Sequence, residues 1–406
     1  MRAMHLRASG TLRTAYPAAR HDGHDPERFR EDVPGDRGRA VRPLLARMVG
    51  FVPSPGIWYP DGGAVPGGRQ HASGRWGSDG GAVGPIGGSE FACGLCLDRT
   101  LRPGGYAWWY VDALSDNGRH GITIIAFVGS VFSPYYAWAS KRAAADPLDH
   151  CALNVALYDF GATRGGKRWT MTERRRHDVR RNSKELVIGA SSFLWDGDAL
   201  SIWIDERTAP WPSRVRGVVR VYPQFITDRV AALDRAGQHR WWPIAPSTRV
   251  QVALDEPALR WLGTGYLDSN WGDAPLESAF SHWDWSRAPL QVGTAVLYDV
   301  RRRHGPPLLL ALRFAPSGEV EELESPPVAN LPRTRWGIER RTRADLAASA
   351  RIVRTLEDAP FYARSLLAAQ LFGEPVRAVH ESLSLDRWRR LWVKLLLPFR
   401  MPRARR

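Results

Sequence analysis

Hydrophobic and polar residues alternate in short runs along most of this chain, and a period of two marks strands with one buried face. The alternation predicts strands over 106–113, 121–128, 152–160, 168–172, 186–195, 199–205 and 214–222. Turn-forming groups separate them, around Asn117 and Gly118, Gly165 and Gly166, and Asp196 and Gly197. After a loop-like stretch over 223–246, strands resume at 248–254, 261–271, 276–287, 291–300, 307–314, 334–336, 351–356 and 375–385. Several of these are long and aromatic, as in a closed barrel with a filled or ligand-bearing interior. The expected class is all-β, with antiparallel β-domains over 86–228 and 229–386.

The two ends read differently. Residues 1–85 are rich in Gly, Pro, Arg and Asp and lack periodicity, so they read as largely irregular, with a short ordered piece near 57–59. In 387–406, Trp388, Leu391, Trp392, Leu395, Leu396 and Phe399 recur at helical spacing, with Arg387, Arg389, Arg390 and Lys394 mainly elsewhere on the wheel. That pattern is a short basic amphipathic helix, suited either to a membrane surface or to capping a barrel.

Composition narrows the partners. The 406 residues suit two or three domains, and a net charge of +15, mostly from arginine, favours anionic partners. No recognition-helix, zinc-finger or RNP signature accompanies the charge, which places a membrane surface ahead of nucleic acid. Three cysteines make a disulfide framework unexpected and fit a reducing compartment. Cys93 and Cys96 have neither a second CxxC nor a nearby paired histidine, so they read as buried thiols rather than a zinc or redox site. Residues 121–140 carry no charge, but Gly129, Pro134 and a β-branched bias argue against a spanning helix. With no apolar core behind Arg2 and Arg7 to make a secretory signal, the chain reads as soluble or peripheral.

The densest chemistry lies in residues 263–287, GTGYLDSNWGDAPLESAFSHWDWSR. On a strand Tyr266 and Asp268 share a face, and His239 and Trp241 in QHRWWP have the same spacing. Facing each other, the two segments bring a proton donor, a base and two π-faces together. A carboxyl in an apolar, ring-lined pocket stays neutral and can protonate something greasy. A tight turn begun by Asp268 is the competing reading, and His239 in a loop is as readily a surface residue. Asp112 shares a face with Trp108 and Tyr110 and is the reserve acid. Asp284 points away from its neighbours Trp283 and Trp285, which share the other face with Arg287.

Residues 103–139, PGGYAWWYVDALSDNGRHGITIIAFVGSVFSPYYAWA, together with GTGYLDSNWG, HWDW and VHESLSLDRW, resemble the carotenoid 1,2-hydratases (hydroxyneurosporene synthases) of purple photosynthetic bacteria. The likeness runs from about 91 to 388. It implies two lipocalin-like β-barrels in tandem and cofactor-free hydration of the terminal C1–C2 double bond of acyclic carotenes such as neurosporene and lycopene. It further implies a site at Asp268, His239, Tyr266 and Trp241, with no metal. The implied place is the cytoplasmic side, peripheral to the photosynthetic membrane. In this reading Asp268 protonates C2, Trp241 and Tyr266 face the tertiary cation at C1, and His239 accepts a proton from the incoming water or orients it.

The main rival is a non-catalytic lipocalin-like carrier of carotenoid or another lipid, which gives no reason for a carboxylate in the pocket. A sugar enzyme wants a second carboxylate facing the first, and none is obvious beside Asp268. Nucleic-acid binding rests on charge alone.

Overall fold

The alternating runs form strands in the computed structural model, which describes residues 83–85, 94–162 and 166–404. The reading of residues 1–85, apart from the strand Val83–Pro85, lies outside the described residues, as does Cys93. One antiparallel sheet carries, in spatial order, Lys167–Arg174, Cys151–Asp159, His120–Val128, Tyr106–Ser115, Leu259–Gly272, His239–Glu256, Arg214–Pro223 and Leu200–Arg207, then three short strands. A bridge from Thr170 to Thr208 ties the Lys167–Arg174 edge to the end of Leu200–Arg207 and nearly closes the sheet into a barrel. The interior is packed solid with Trp109, Val111, Ile124, Val155, Ile202 and Leu267.

A second antiparallel sheet carries Leu308–Phe314, Thr294–Arg302, Phe280–Pro289, Glu374–Ser384, Tyr362–Leu371 and Arg351–Asp358 in that order, with one short strand at its edge. One of its faces packs on the outside of the barrel wall. Trp108, Tyr110, Trp241 and Tyr266 from the barrel meet Trp283, Trp285, Tyr298 and Leu383 from the second sheet in one apolar cluster. A ring-lined space therefore lies at this seam between sheets, outside the interior of the first barrel.

The all-β class holds, and several local readings change. The change of sheet falls between Gly272 and Phe280 rather than near residue 228, because Leu259–Gly272 pairs with Tyr106–Ser115 over ten residues. Residues 223–246 are not a loop throughout: Arg229–Ala232 and the start of His239–Glu256 are strands. Pro243 and Pro246 hid this. Each sits at a register shift, where a proline interrupts no ladder bond. Leu276–Ala279 is a helical turn, and Pro134–Ser140 a short helix capped by Ser133. Cys96 is disulfide-bonded, against the expectation of a free thiol, and Cys151 is a buried free thiol. Among the described residues, no helix is long and apolar enough to cross a membrane.

The C-terminal region departs furthest from its wheel. It breaks into Leu385–Trp388, Leu391–Leu396 and Leu397–Phe399. Trp388, Val393, Leu397 and Met401 pack inward, and Lys394 is buried over the Trp388 ring. Leu391, Trp392, Leu395 and Phe399 face outward. Residues 402–404 then bond to the edge of the barrel: Glu173 N–H donates to Pro402 O and Ala404 N–H to Glu173 O.

Asp112 and Arg287 pair across the seam, each 3 % exposed, with Arg287 Nε donating to Asp112 Oδ1 at 2.7 Å. Removing one partner of such a pair strands a charge away from water, at about 3–5 kcal/mol. Arg287→Met should lower stability by that amount in denaturant titration, and adding Asp112→Asn should recover much of the loss.

Candidate active site

Two long strands, hydrogen-bonded side by side, set the site residues at a spacing of two. Trp241 pairs with Asn270 and His239 with Gly272, so alternate side chains of both strands enter the seam. Gly272 makes room for this: a Cβ there would lie 2.7 Å from His239 Nδ1 and 2.8 Å from Tyr106 Cε1. Gly263 plays the same part at the other end, where a Cβ would lie 2.1 Å from Leu114 O.

Asp268 is buried, and its Oδ2 accepts from Trp241 Nε1 at 2.9 Å and from Tyr266 OH at 3.0 Å. Its Oδ1 has no partner. Burial pushes this carboxyl up to about 8, while the bonds from Trp241 and Tyr266 pull the other way. Tyr110 and Trp285 complete the surroundings, with the Tyr266 ring 6.1 Å from Tyr110 and 5.2 Å from Trp285. The result is a neutral acid in a cage of rings, with one oxygen free.

His239 lies elsewhere. Asp268 is four residues from the partner of His239, roughly 13 Å along the strand, and no hydrogen bond joins them. His239 Nδ1 instead bonds Tyr106 OH at 2.9 Å, and its ring packs 4.9 Å from Phe280. Burial lowers its affinity for a proton, so it is held neutral. Tyr106 stacks on Trp108 at 5.1 Å, so His239 supports a ring of the seam rather than touching the acid.

A cavity of about 340 Å³ opens along the seam beside this cluster, near the low end of ligand pockets at about 300–1,000 Å³. Trp108, Phe127, Trp283 and Phe361 give it apolar walls. Tyr110 lines it on one side and meets Tyr266 on the other, so Asp268 lies one ring behind the wall. None of the four expected site residues lines the cavity itself.

Sequence reading passed over the polar groups that do line it, chiefly Arg364, Glu381 and Glu357. Their signal was a charged residue on the apolar face of an alternating run, as at Arg364 between Tyr362 and Leu366, or Glu381 between Val379 and Leu383. Asp112, the reserve acid, is held by Arg287 and by Tyr110 OH, which donates to its Oδ2 at 2.8 Å. Asp284 turns to the opposite face, beside His282 and His380.

A family model described as carotenoid hydratase CrtC matches residues 124–406. The chain is 53 % identical to an acyclic carotenoid 1,2-hydratase of Thiocapsa roseopersicina, covering 100 % of both chains. It is 50 % identical to that of Rubrivivax gelatinosus over 92 % of each chain. With that of Cereibacter sphaeroides the identity is 40 %, over 69 % of this chain and 98 % of the relative.

The folded state holds a proton on Asp268 that the unfolded chain releases near the ordinary carboxyl value. Folding therefore weakens as pH rises toward about 8. A protonated-carboxyl C=O band in the infrared should fade as pH passes through about 8 and be missing from Asp268→Asn.

Proposed function

The chain belongs to the carotenoid hydratase family, and from that premise we propose that it adds water to the terminal C1–C2 double bond of acyclic carotenes such as neurosporene and lycopene, with Asp268 as the acid. An unactivated alkene is a very weak base, so the donor must be a carboxyl that keeps its proton at working pH. Five carboxyls sit in or beside the seam, of which Asp358 is only partly buried and accepts from Arg335 N–H at 2.9 Å. Asp112 faces Arg287, Glu381 faces Arg364 and Glu357 faces Lys167. Asp268 alone is both buried and without a cation, and that observation carries the assignment.

The end of the carotene enters the cavity, and the Tyr110 and Trp285 rings part to admit C2 to the free Oδ1 of Asp268. The Asp268 proton forms the new C–H bond at C2 and leaves a tertiary cation at C1. The faces of Trp241, Tyr266 and Trp285 surround that charge, each contributing about 0.5–2 kcal/mol and more when dry. Trp241 and Tyr266 also bond the carboxylate left behind, which limits its rise in energy. His239 acts at one remove, bracing Tyr106 and through it Trp108 of the cavity wall.

The substrate also bears on where the protein works. Leu396, Leu397, Arg400 and Met401 line the cavity, while Leu391, Trp392, Leu395 and Phe399 beside them are exposed. Arg387, Arg389, Arg390 and Arg400 flank this apolar strip along the chain, and Arg387 lies 6.0 Å over the Trp392 ring. Apolar residues flanked by arginine suit the interface of an anionic membrane. A cavity of about 340 Å³ takes only the end of so long a chain, the remainder staying in lipid. The reading is a peripheral enzyme whose cavity opens toward the bilayer.

A non-catalytic carrier has no use for a neutral acid in the ring layer, so the two readings part on one assay. Wild type incubated with lycopene should yield a product heavier by one water. Asp268→Asn should lower the rate by at least about 100-fold, the share of a general acid, with its circular dichroism unchanged; near-normal turnover by a folded variant would take Asp268 out of the mechanism. Leu391→Ser with Trp392→Ser and Phe399→Ser should reduce flotation with anionic vesicles while hydration of detergent-dispersed carotene persists. Undiminished flotation would exclude this surface as the contact.

A further inference from the structure

Hydration needs a second proton transfer, because the water that captures the cation must lose a proton as its oxygen bonds C1. His239 stands away from the cavity and is poorly placed to receive it. We propose that Glu381 is a second catalytic residue, the cavity-facing carboxylate that orients this water and takes its proton. The inference rests on the hydratase reading and extends it to a residue that reading leaves unused.

Glu381 occupies an unusual position. On Glu374–Ser384 the residues Val379, Glu381 and Leu383 face the seam, so a charge interrupts an apolar row. Its side chain is 15 % exposed and lines the cavity. Arg364 lies directly opposite on the next strand and donates to Oε1 through Nη2. The other guanidinium contacts are met by protein: Nη1 donates to Thr123 Oγ1 and Nε to Tyr362 OH at 3.0 Å. Arg364 is thus spent on holding Glu381 in place, and its cation sits 5.2 Å over the Tyr110 ring.

Placement relative to Asp268 completes the argument. Trp285 is the register partner of Glu381 and packs against both Tyr110 and Tyr266, the ring that bonds Asp268. The same ring layer therefore separates the acid from the carboxylate. An alkene lodged at that layer meets Asp268 from one direction and a water on Glu381 from the other. Burial raises the proton affinity of Glu381 above that of an exposed glutamate, while the Arg364 guanidinium beside it opposes the rise. Glu357, the neighbouring carboxylate, is held by Tyr158 OH at 3.0 Å on one oxygen and by Lys167 Nζ on the other.

The atoms balance. The O–H bond of Asp268 breaks and a C–H bond forms at C2; an oxygen pair of water forms the C1–O bond; one water O–H breaks and its proton goes to Glu381. Asp268 ends one proton short and Glu381 one proton over. Return of that proton restores both groups, and the net change is alkene plus water to tertiary alcohol.

The test is hydration of lycopene by the full chain, with bound carotene followed by its absorption spectrum. Glu381→Gln should bind carotene and lose at least about 100-fold in rate. Because this variant leaves Arg364 unpaired, Glu381→Gln combined with Arg364→Met removes both charges and should be equally slow with a native melting transition. Glu381→Ala, with Arg364 kept to hold an anion, should regain at least tenfold on adding formate, whereas Asp268→Asn should gain nothing. Rates within a few-fold of wild type in either Gln variant, or no gain from formate, would overturn the assignment. If Asp268→Asn alone loses activity, only this inference falls; if wild type gives no hydrated product, the hydratase reading itself falls.

Discussion

A charge inside a dry, ring-lined seam must be paired, and the whole site is organised by that requirement. Arg287 answers Asp112, Arg364 answers Glu381 and Lys167 answers Glu357. The arrangement leaves one buried carboxyl over. Deprived of a cation, Asp268 finds the protonated form cheaper than the charged one, although two donors favour the anion. Pairing everywhere else is what makes the one unpaired group an acid, and separating the proton affinities of neighbouring carboxyls is how acid and base roles are divided between like groups.

Backbone geometry makes the arrangement possible. The Leu259–Gly272 strand lies between Tyr106–Ser115 and His239–Glu256, hydrogen-bonded to both, so alternate side chains of three strands reach the seam in rows. A slip of one residue would turn Asp268 and Tyr266 into the packed barrel. The close approaches at Gly263 and Gly272 tie the register down, since neither position has space for a Cβ.

Much of this was legible in the alternation itself. Tyr266 with Asp268, Asp112 with Tyr110, and Trp283 with Trp285 and Arg287 share faces, as spacing by two requires. What spacing cannot supply is which faces meet. The His239 segment pairs in a register that leaves His239 at Gly272, well down the strand from Asp268, and two prolines at bulges disguised the strand. Glu381 and Arg364 were passed over because a charged residue amid apolar neighbours looks like a solvent position until the opposing sheet is known. The C-terminal wheel misled for the same reason. Its apolar residues divide between an inward set around Trp388 and an outward set around Phe399, and only the packed structure separates them.

The cavity draws walls from Trp108 through Met401, and residues 402–404 then add to the free edge of the barrel at Glu173. A pocket bounded by residues so distant in the chain cannot exist on a nascent polypeptide still emerging from the ribosome. Pairings of this range are slow to form and leave strand edges bare in the meantime. The same stretch that closes the enzyme thus arrives after the other walls of its pocket, and a half-made chain exposes its aromatic seam to whatever chaperone or lipid is nearest.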